Sequence, residues 1–347
     1  MKIVQFMASA GWGGAESVFV SLAGELARDH EVTAVLLRDT VYEHRFSPAV
    51  RIRVLRANPT RYNPLLSLEL LRLLHRLRPD VVHTHAAKAA ELLRPVCALL
   101  GIPLVATKHN ARKGRIFNRL SRVTAVSKLA ADSILPCPGA RIKIIANGIR
   151  PQALPRVERG ECFTMVAVGR LDAIKGFDLL IDQVQDLPFE FRLRIVGEGP
   201  EEKRLQQRIQ RSGCGQRIEL TGFRDDVPLL MKKSHLVVIS SLSEGFGNIL
   251  IEALFYAPCL ISTPVGESAV ILPELLLAEH GELGNRISQV HARYHEFVAA
   301  FEEVKEQHAD NYLLPAITRR YVDFYREVVT KRRFRGEASR TPERKAK

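Results

Sequence analysis

Two glutamates eight residues apart, Glu244 and Glu252, enclose a Gly245-Phe246-Gly247-Asn248 run that opens an apolar helical pattern. The amides of such a loop, at a helix N-terminus, suit a phosphate or an oxyanion. A carboxylate in the first turns of that helix can accept two sugar hydroxyls. Upstream, Gly169–Gly176 (GRLDAIKG) places Arg170 and Lys175 five apart between a strand and a helix. Two cations at the mouth of a sheet can clamp a diphosphate, Arg as a fork and Lys as a point charge. Near the start, Ser9–Glu16 carries Gly11, Gly13 and Gly14, which allow close backbone approach to a ligand. Glu16 breaks the full dinucleotide fingerprint, and the lysine of a phosphate-binding P-loop is absent. His109 follows an apolar run, where the carboxyl end of a parallel strand would hold it for site work. Taken singly, each of these residues also fits a structural or solvated role.

The elements that must position them follow from periodicity. In the first half, short apolar runs predict strands at Lys2–Ala8, Glu31–Leu37, Val81–Thr84, Pro103–Thr107, Val123–Val126 and Ile142–Ile145. Helical patterns at Ala15–Arg28, Pro64–Leu77 and Ala86–Leu100 alternate with them. Such alternation is the signature of βαβ units around a parallel sheet, because parallel strands need crossover helices. A polar segment with Pro151 and Pro155 (150–161) reads as a linker, after which the pattern restarts. Strands are predicted at Phe163–Val168, Arg192–Val196, Arg217–Thr221, Leu236–Ser240 and Cys259–Ser262, and helices at Phe177–Val184, Glu201–Arg211 and Asn248–Phe255. A last helix, about Pro315–Val329, puts Tyr321, Phe324 and Tyr325 on one face. The expected architecture is α/β, two Rossmann-like parallel-sheet domains facing across a cleft. An N-terminal domain covers 1–149 and a second domain 162–310. A C-terminal helix, 311–330, is expected to pack back toward the first domain, and 331–347 reads as a disordered basic tail.

Composition narrows the classes. The 347 residues are 46% hydrophobic, with 22 Gly and 18 Pro, which excludes collagen, a disulfide scaffold and a disordered chain. The five cysteines (97, 137, 162, 214, 259) form no CxxC pair and read as reduced thiols of a cytosolic protein. No apolar run reaches the ~18 residues of a membrane span. The N-terminal apolar stretch reads as a strand, not a signal peptide. In the tail, eight Lys/Arg against two Glu supply +6 of the net +13. A second basic stretch, Lys108 to Lys128, holds Lys108, Arg112, Lys113, Arg115, Arg119, Arg122 and Lys128 without a carboxylate, and attracts phosphates of any kind. His83 and His85 could suggest a metal, but no third ligand has a suitable local spacing. No Asp-x-Asp occurs to hold Mg²⁺ or Mn²⁺ on a nucleotide diphosphate. Neither a metal nor another cofactor is expected.

In order along the chain, Gly13–Glu16, His109, Ala125-Val126-Ser127, Asn147-Gly148, Gly169-Arg170 with Lys175-Gly176, Gly197-Glu198-Gly199, Thr221-Gly222 and the Glu244-to-Glu252 segment resemble the retaining glycosyltransferases of the GT-B fold, family 4. The likeness covers nearly the whole chain and extends to enzymes of lipopolysaccharide core and cell-envelope glycan synthesis. It implies a nucleotide-sugar donor, most readily a UDP-sugar. Arg170 and Lys175 would hold its diphosphate and replace a metal, and Glu252 would accept the ribose hydroxyls. Glu244 and the Gly245–Asn248 amides would bind the sugar and phosphate, and His109 would contact the sugar. Gly13, Gly14, Gly169 and Gly197 would line the donor. Retention would come from attack on the leaving-group face, the leaving phosphate oxygen assisting, with no protein nucleophile. The sequence departs from the family after Glu267, where 266–284 looks compressed, and the donor base, sugar, acceptor and linkage stay open.

Arg112–Arg122 interleaves Ile116, Phe117 and Leu120 with cations, as a helix anchored on an anionic membrane surface would. Arg112, Lys113, Arg115, Ile116, Phe117 and Arg119 are the expected acceptor and membrane contacts. The enzyme is then expected in the cytoplasm, peripheral on the inner face of the membrane, with a lipid-linked or lipopolysaccharide acceptor. Other readings are a transferase with a soluble acceptor, a nucleotide-sugar epimerase of the same fold and, most remotely, a nucleic-acid binder. The last lacks a platform of interleaved aromatics, and nucleic acid is not an expected partner.

Overall fold

The computed structural model describes residues 1–57, 60, 63–112 and 114–338. Lys113 and the tail from 339 onward, both singled out in the sequence, lie outside the described residues. The chain divides into two units, Met1–Gly148 with the C-terminal segment from Leu314, and Ile149–Leu313.

The first unit runs β1 (Lys2–Met7), α1 (Gly14–Leu26), β2 (Glu31–Leu37), β3 (Arg51–Leu55), α2 (Pro64–Leu77), β4 (Val81–His85), α3 (Ala86–Leu99), β5 (Leu104–Lys108), β6 (Arg122–Ala125), α4 (Lys128–Asp132) and β7 (Arg141–Ile144). Among the described residues its sheet has seven strands in the order β3-β2-β1-β4-β5-β6-β7. Every pairing is parallel. β1, β4 and β5 are buried almost end to end, because helices cover both faces. One core cluster joins Leu66, Leu70 and Leu74 of α2 to α3 and to Ile116 and Phe117. The other joins Phe19 and Leu22 of α1 to Tyr321, Phe324 and Tyr325. The strand order reverses between β1 and β4, the kind of point where open α/β sheets bind ligands beyond their carboxyl ends. β3 is not among the expected strands. It is an edge strand with Arg51 and Arg53 exposed, so its short apolar signal is diluted by charges that protect an edge.

The basic arm differs from expectation. Residues 115–119 form a 3-10 turn, not an amphipathic helix, and its apolar side chains point inward, Ile116 being 8% and Phe117 3% exposed. Lys108 is buried, with its ammonium over the Phe117 ring and 3.4 Å from the Ser133 carbonyl. Lys128 pairs with Asp132 at 2.7 Å. Arg112, Arg115 and Arg119 are exposed. Burial of two aromatic or branched side chains in the core outweighs what they would gain at a lipid surface, so the arm presents charge without an apolar face.

The second unit runs β8 (Phe163–Val168), α5 (Phe177–Val184), β9 (Phe191–Val196), α6 (Glu202–Arg211), β10 (Ile218–Leu220), α7 (Val227–Lys233), β11 (Leu236–Ile239), α8 (Asn248–Tyr256), β12 (Leu260–Ser262), α9 (Ser268–Ile271), α10 (Leu283–Ala292) and α11 (Tyr294–His308). Its sheet is parallel in the order β10-β9-β8-β11-β12, reversing between β8 and β11. The polar linker lies along this unit: the Gln152 amide donates to the Tyr256 hydroxyl at 2.7 Å, and Lys232 reaches the Leu154 carbonyl at 3.2 Å. The compressed segment is ordered, with α9, a 3-10 turn and a parallel bridge from Ser262 to Leu277 ahead of α10. The C-terminal helix, α12 (Leu314–Ala338), belongs to the first unit and continues past 330, where a disordered tail was expected. Lys331, Arg332 and Arg333 are good helix formers and nothing before Gly336 interrupts them.

Candidate functional site

In the second unit three loops leave the carboxyl ends of β8, β9 and β11 and are sewn together by backbone hydrogen bonds. The Gly169 amide donates to the Val196 carbonyl at 3.0 Å and that of Leu171 to the Glu198 carbonyl at 2.9 Å. On the other side the Leu242 amide donates to the Ile174 carbonyl, and Ser240 Oγ to that of Lys175, both at 2.8 Å. Glycines allow this closeness. Gly197 has φ +141°, and a Cβ there would sit 1.9 Å from the Gly169 carbonyl oxygen. Gly176 has φ +63°, and its Cβ would lie 2.2 Å from the Ser240 oxygen. No side chain other than hydrogen fits either place.

The stitching brings Lys175 onto Glu244. Lys175 Nζ donates to Glu244 Oε1 at 2.5 Å, and Ser241 Oγ donates to the same oxygen at 2.7 Å. Both charged side chains are under one-fifth exposed. The sequence names the two ions separately and leaves out Ser241, the hydroxyl that orients the carboxylate from three residues away. Arg170 is exposed. Gly247, φ +102°, precedes α8, which has no side-chain cap on its N-terminal amides. Asn248 opens that helix and Gly245 lies in the loop before it. Phe246 faces inward, 3% exposed, edge-on to Tyr312 at 6.0 Å. Its contribution is therefore to brace the loop, and its carbonyl accepts from the Glu267 amide at 2.9 Å. Tyr312 completes that wall by donating to Glu267 Oε1 at 2.8 Å. Glu252, within α8, is desolvated, which raises its carboxyl to about 7.

In the first unit, Gly13 and Gly14 stand at the N-terminus of α1, which also lacks a side-chain cap. The loop before them is braced by Tyr42, whose hydroxyl donates to the Ser9 carbonyl at 2.9 Å, and by Arg45 stacked 4.6 Å over Trp12. His109 follows β5 directly, its ring partly exposed. Its Nε2 lies 3.1 Å from His85 Nδ1, with the two rings stacked. His83 lies beneath, 4.4 Å from the His85 ring. Its Nδ1 lies 2.7 Å from the Tyr325 hydroxyl, and its Nε2 is 2.6 Å from Thr107 Oγ1. Desolvation holds all three imidazoles below their usual range, His83 near 3 and His109 near 4. Sequence reasoning set His83 and His85 aside; their signal was the strand position they share with His109, visible only once β4 and β5 pair. Among the described residues no group of three or more His, Cys, Asp or Glu side chains is placed to hold a metal ion. Nor is any described helix long and apolar enough to cross a membrane.

Comparison with known proteins agrees with the two-unit division. Residues 12–153 match the family described as Glycosyltransferase Family 4, and residues 162–293 match Glycosyl transferases group 1. The lipopolysaccharide core biosynthesis glycosyltransferase LpsE of Rhizobium meliloti is 26% identical over 282 residues, 76% of this chain and 79% of that protein. A Campylobacter jejuni 4-alpha-N-acetylgalactosaminyltransferase, named for a diphospho-undecaprenol-linked acceptor, is 27% identical over 302 residues, 76% of this chain and 80% of that protein. Across the first four curated relatives the aligned stretch spans 56 to 80% of their length. The crystal structure of Anabaena HepE in complex with UDP and glucose superposes with a TM-score of 0.80 at 20% identity, covering 94% of this chain and 100% of that one.

Proposed function

Since the chain belongs to the family 4 and group 1 glycosyltransferases, with the GT-B fold, we propose that it transfers a sugar from a UDP-sugar to a lipid-linked or lipopolysaccharide-core acceptor, with retention and without a metal. The observation that carries this reading is the Lys175–Glu244 pair, held by three stitched loops at the strand-order reversal of the second unit. Lys175 spends one of its three N–H donors on Glu244 and keeps the others for a diphosphate. With Arg170 it offsets the charge that grows on the departing nucleotide. Glu244, committed to Lys175 and Ser241, is a binding group and not a nucleophile. Glu252 takes the ribose hydroxyls, and His109 contacts the sugar. The UDP choice is supported by the UDP complex of the Anabaena neighbour, and the acceptor class by the names of the two bacterial relatives.

Arg112, Arg115 and Arg119 would meet an anionic membrane surface at the inner face of the cytoplasmic membrane. A soluble phosphorylated acceptor is the second reading, favoured by the inward burial of Ile116 and Phe117. A thermal-shift screen over UDP-, GDP- and ADP-sugars tests the donor. The anomeric proton coupling of the first-formed product tests retention. Stabilisation by GDP- or ADP-sugars alone, or an inverted product, would sink the corresponding part of the proposal.

A further inference from the structure

We propose that His85 is the positioning residue for His109: His85 Nδ1–H donates to His109 Nε2, so that His109 carries its proton on Nδ1 and offers it to the ligand as a hydrogen-bond donor. This rests on the reading of His109 as a sugar contact.

His85 ends β4 and is fully buried. The backbone turns at once at Ala86, φ +64°, a left-handed conformation that non-glycine residues rarely take. That turn sends the chain into α3 while the His85 ring stays inside, 5.1 Å from Phe19, 4.4 Å from His83 and 5.3 Å from His109. The 3.1 Å contact between His85 Nδ1 and His109 Nε2 has room for one proton. Either ring could supply it. Among the described residues, however, His85 Nε2 is buried and meets no hydrogen-bond partner. If His109 were the donor, the proton of a neutral His85 would sit on that nitrogen, as a buried N–H with no acceptor. Buried N–H groups are rarely left orphaned, and a bare ring nitrogen is the more tolerable loss. The proton therefore belongs on His85 Nδ1, and the tautomer of His109 follows from the bond its other nitrogen makes.

His83 holds the stack from below. Its Nδ1 lies 3.4 Å from Gln5 Nε2, which can only donate, so that nitrogen is an acceptor, also open to the Tyr325 hydroxyl, and its own proton faces Thr107. Burial keeps the three rings uncharged. His109 is then suited to donate to a sugar hydroxyl oxygen, and not to remove a proton from the acceptor.

The test is imidazole ¹⁵N NMR on the ligand-free full chain labelled at histidine, with the His109 signals assigned by their loss in His109→Phe. The expected spectrum shows His109 protonated at Nδ1. In His85→Phe, which keeps a ring against Phe19, the Nε2–H tautomer of His109 becomes populated and kcat falls several-fold, no further than in His109→Phe, with KM little changed. His85→Asn, whose amide N–H stands where Nδ1–H was, restores both. Wild-type His109 protonated at Nε2, or a tautomer unmoved in His85→Phe, overturns the proposal. Should His85→Phe fail to fold, the wild-type and His85→Asn spectra decide. An Nδ1–H tautomer in an enzyme whose His109→Phe variant is fully active overturns His109 as a ligand contact, and leaves the His85 hydrogen bond standing.

Discussion

The two units each place their candidate groups where the strand order reverses, yet they bring opposite chemistry to that point. In the first, two buried imidazoles and the partly exposed His109 form a stack that desolvation keeps uncharged. In the second, an ammonium and a carboxylate meet at 2.5 Å, and the carboxyl of Glu252 in α8 is raised to about 7 by burial. The difference teaches where charge is handled. On the proposed function a departing nucleoside diphosphate needs cations that respond as charge develops, and Arg170 and Lys175 lie on a loop at a strand end of the second unit. The first unit offers neutral imidazoles and the glycines at the start of α1, which under the same proposal would read hydroxyls without competing for the phosphate.

The sharpest way to break this comparison is to remove one group from each side. Lys175→Ala should lower kcat by ~10²-fold or more in a folded enzyme, because the lost interaction strengthens toward the transition state. His109→Phe should cost about tenfold, the scale of one neutral hydrogen bond. A larger loss in His109→Phe than in Lys175→Ala, measured by nucleotide release, would reverse the assignment of charge.

Stability against pH should separate the units next. Folded His83 titrates near 3 and His109 near 4, against an ordinary value of 6.5. As pH falls below 6.5 the unfolded chain takes up protons first, so the first unit loses stability down to the folded values. Glu252 works the other way. Its folded carboxyl stays protonated up to about 7 where the unfolded one ionises near 4.5, so the second unit gains stability as pH falls through that window. Between pH 7.5 and 5 each group contributes on the order of 2–3 kcal/mol. Hydrogen exchange read by mass spectrometry at pH 7.5 and 5 should show protection falling in β4–β5 peptides and rising in α8. Parallel loss in both would contradict it.

Donor binding sharpens the same contrast. Ribose hydroxyls donating to Glu252 favour its ionised form, so nucleotide affinity should weaken below pH 7. Glu252→Gln should flatten that dependence and weaken binding about fivefold near pH 8, with kcat little changed. A pH-dependent affinity that survives in Glu252→Gln, followed by calorimetry, would remove Glu252 from the ribose.

Smallest is the membrane effect. The three arginines are exposed and have no apolar face beside them, so salt screens their attraction to an anionic leaflet. Arg112→Glu/Arg115→Glu/Arg119→Glu should reduce flotation with anionic liposomes several-fold and leave donor affinity intact. Truncation after Ala338 is the control for the tail. Flotation lost on truncation and kept in the triple variant would make the tail the anchor.

The sequence announced the two parallel sheets because buried strands such as Ile3–Phe6 and Leu236–Ile239 are nearly continuous apolar runs between helical patterns. β3 escaped because its charges protect an edge. The helices α10 and α11 were not expected either, since Arg286, His291, Glu302, Glu303 and Lys305 mask their apolar stripes. Glu244, Lys175 and His109 were legible as residue types at strand ends. Their partners were not. Ser241 meets Glu244 through close loop packing, His85 meets His109 only when β4 and β5 pair, and His83 beneath them meets Tyr325 across 242 residues. No local spacing encodes such pairings. Ile116 and Phe117 mislead for a related reason, because an apolar pair among cations reads alike whether it turns outward or into the core.

The central claim is that a nucleotide-sugar is turned over by protein cations in place of a metal. It is tested most directly by following nucleotide release from the donor chosen in the thermal-shift screen, in EDTA and then with Mg²⁺ or Mn²⁺ restored. The account predicts the same rate in all three conditions, and a rate near background for Lys175→Ala in each. Activity abolished by EDTA and recovered with either metal would contradict it.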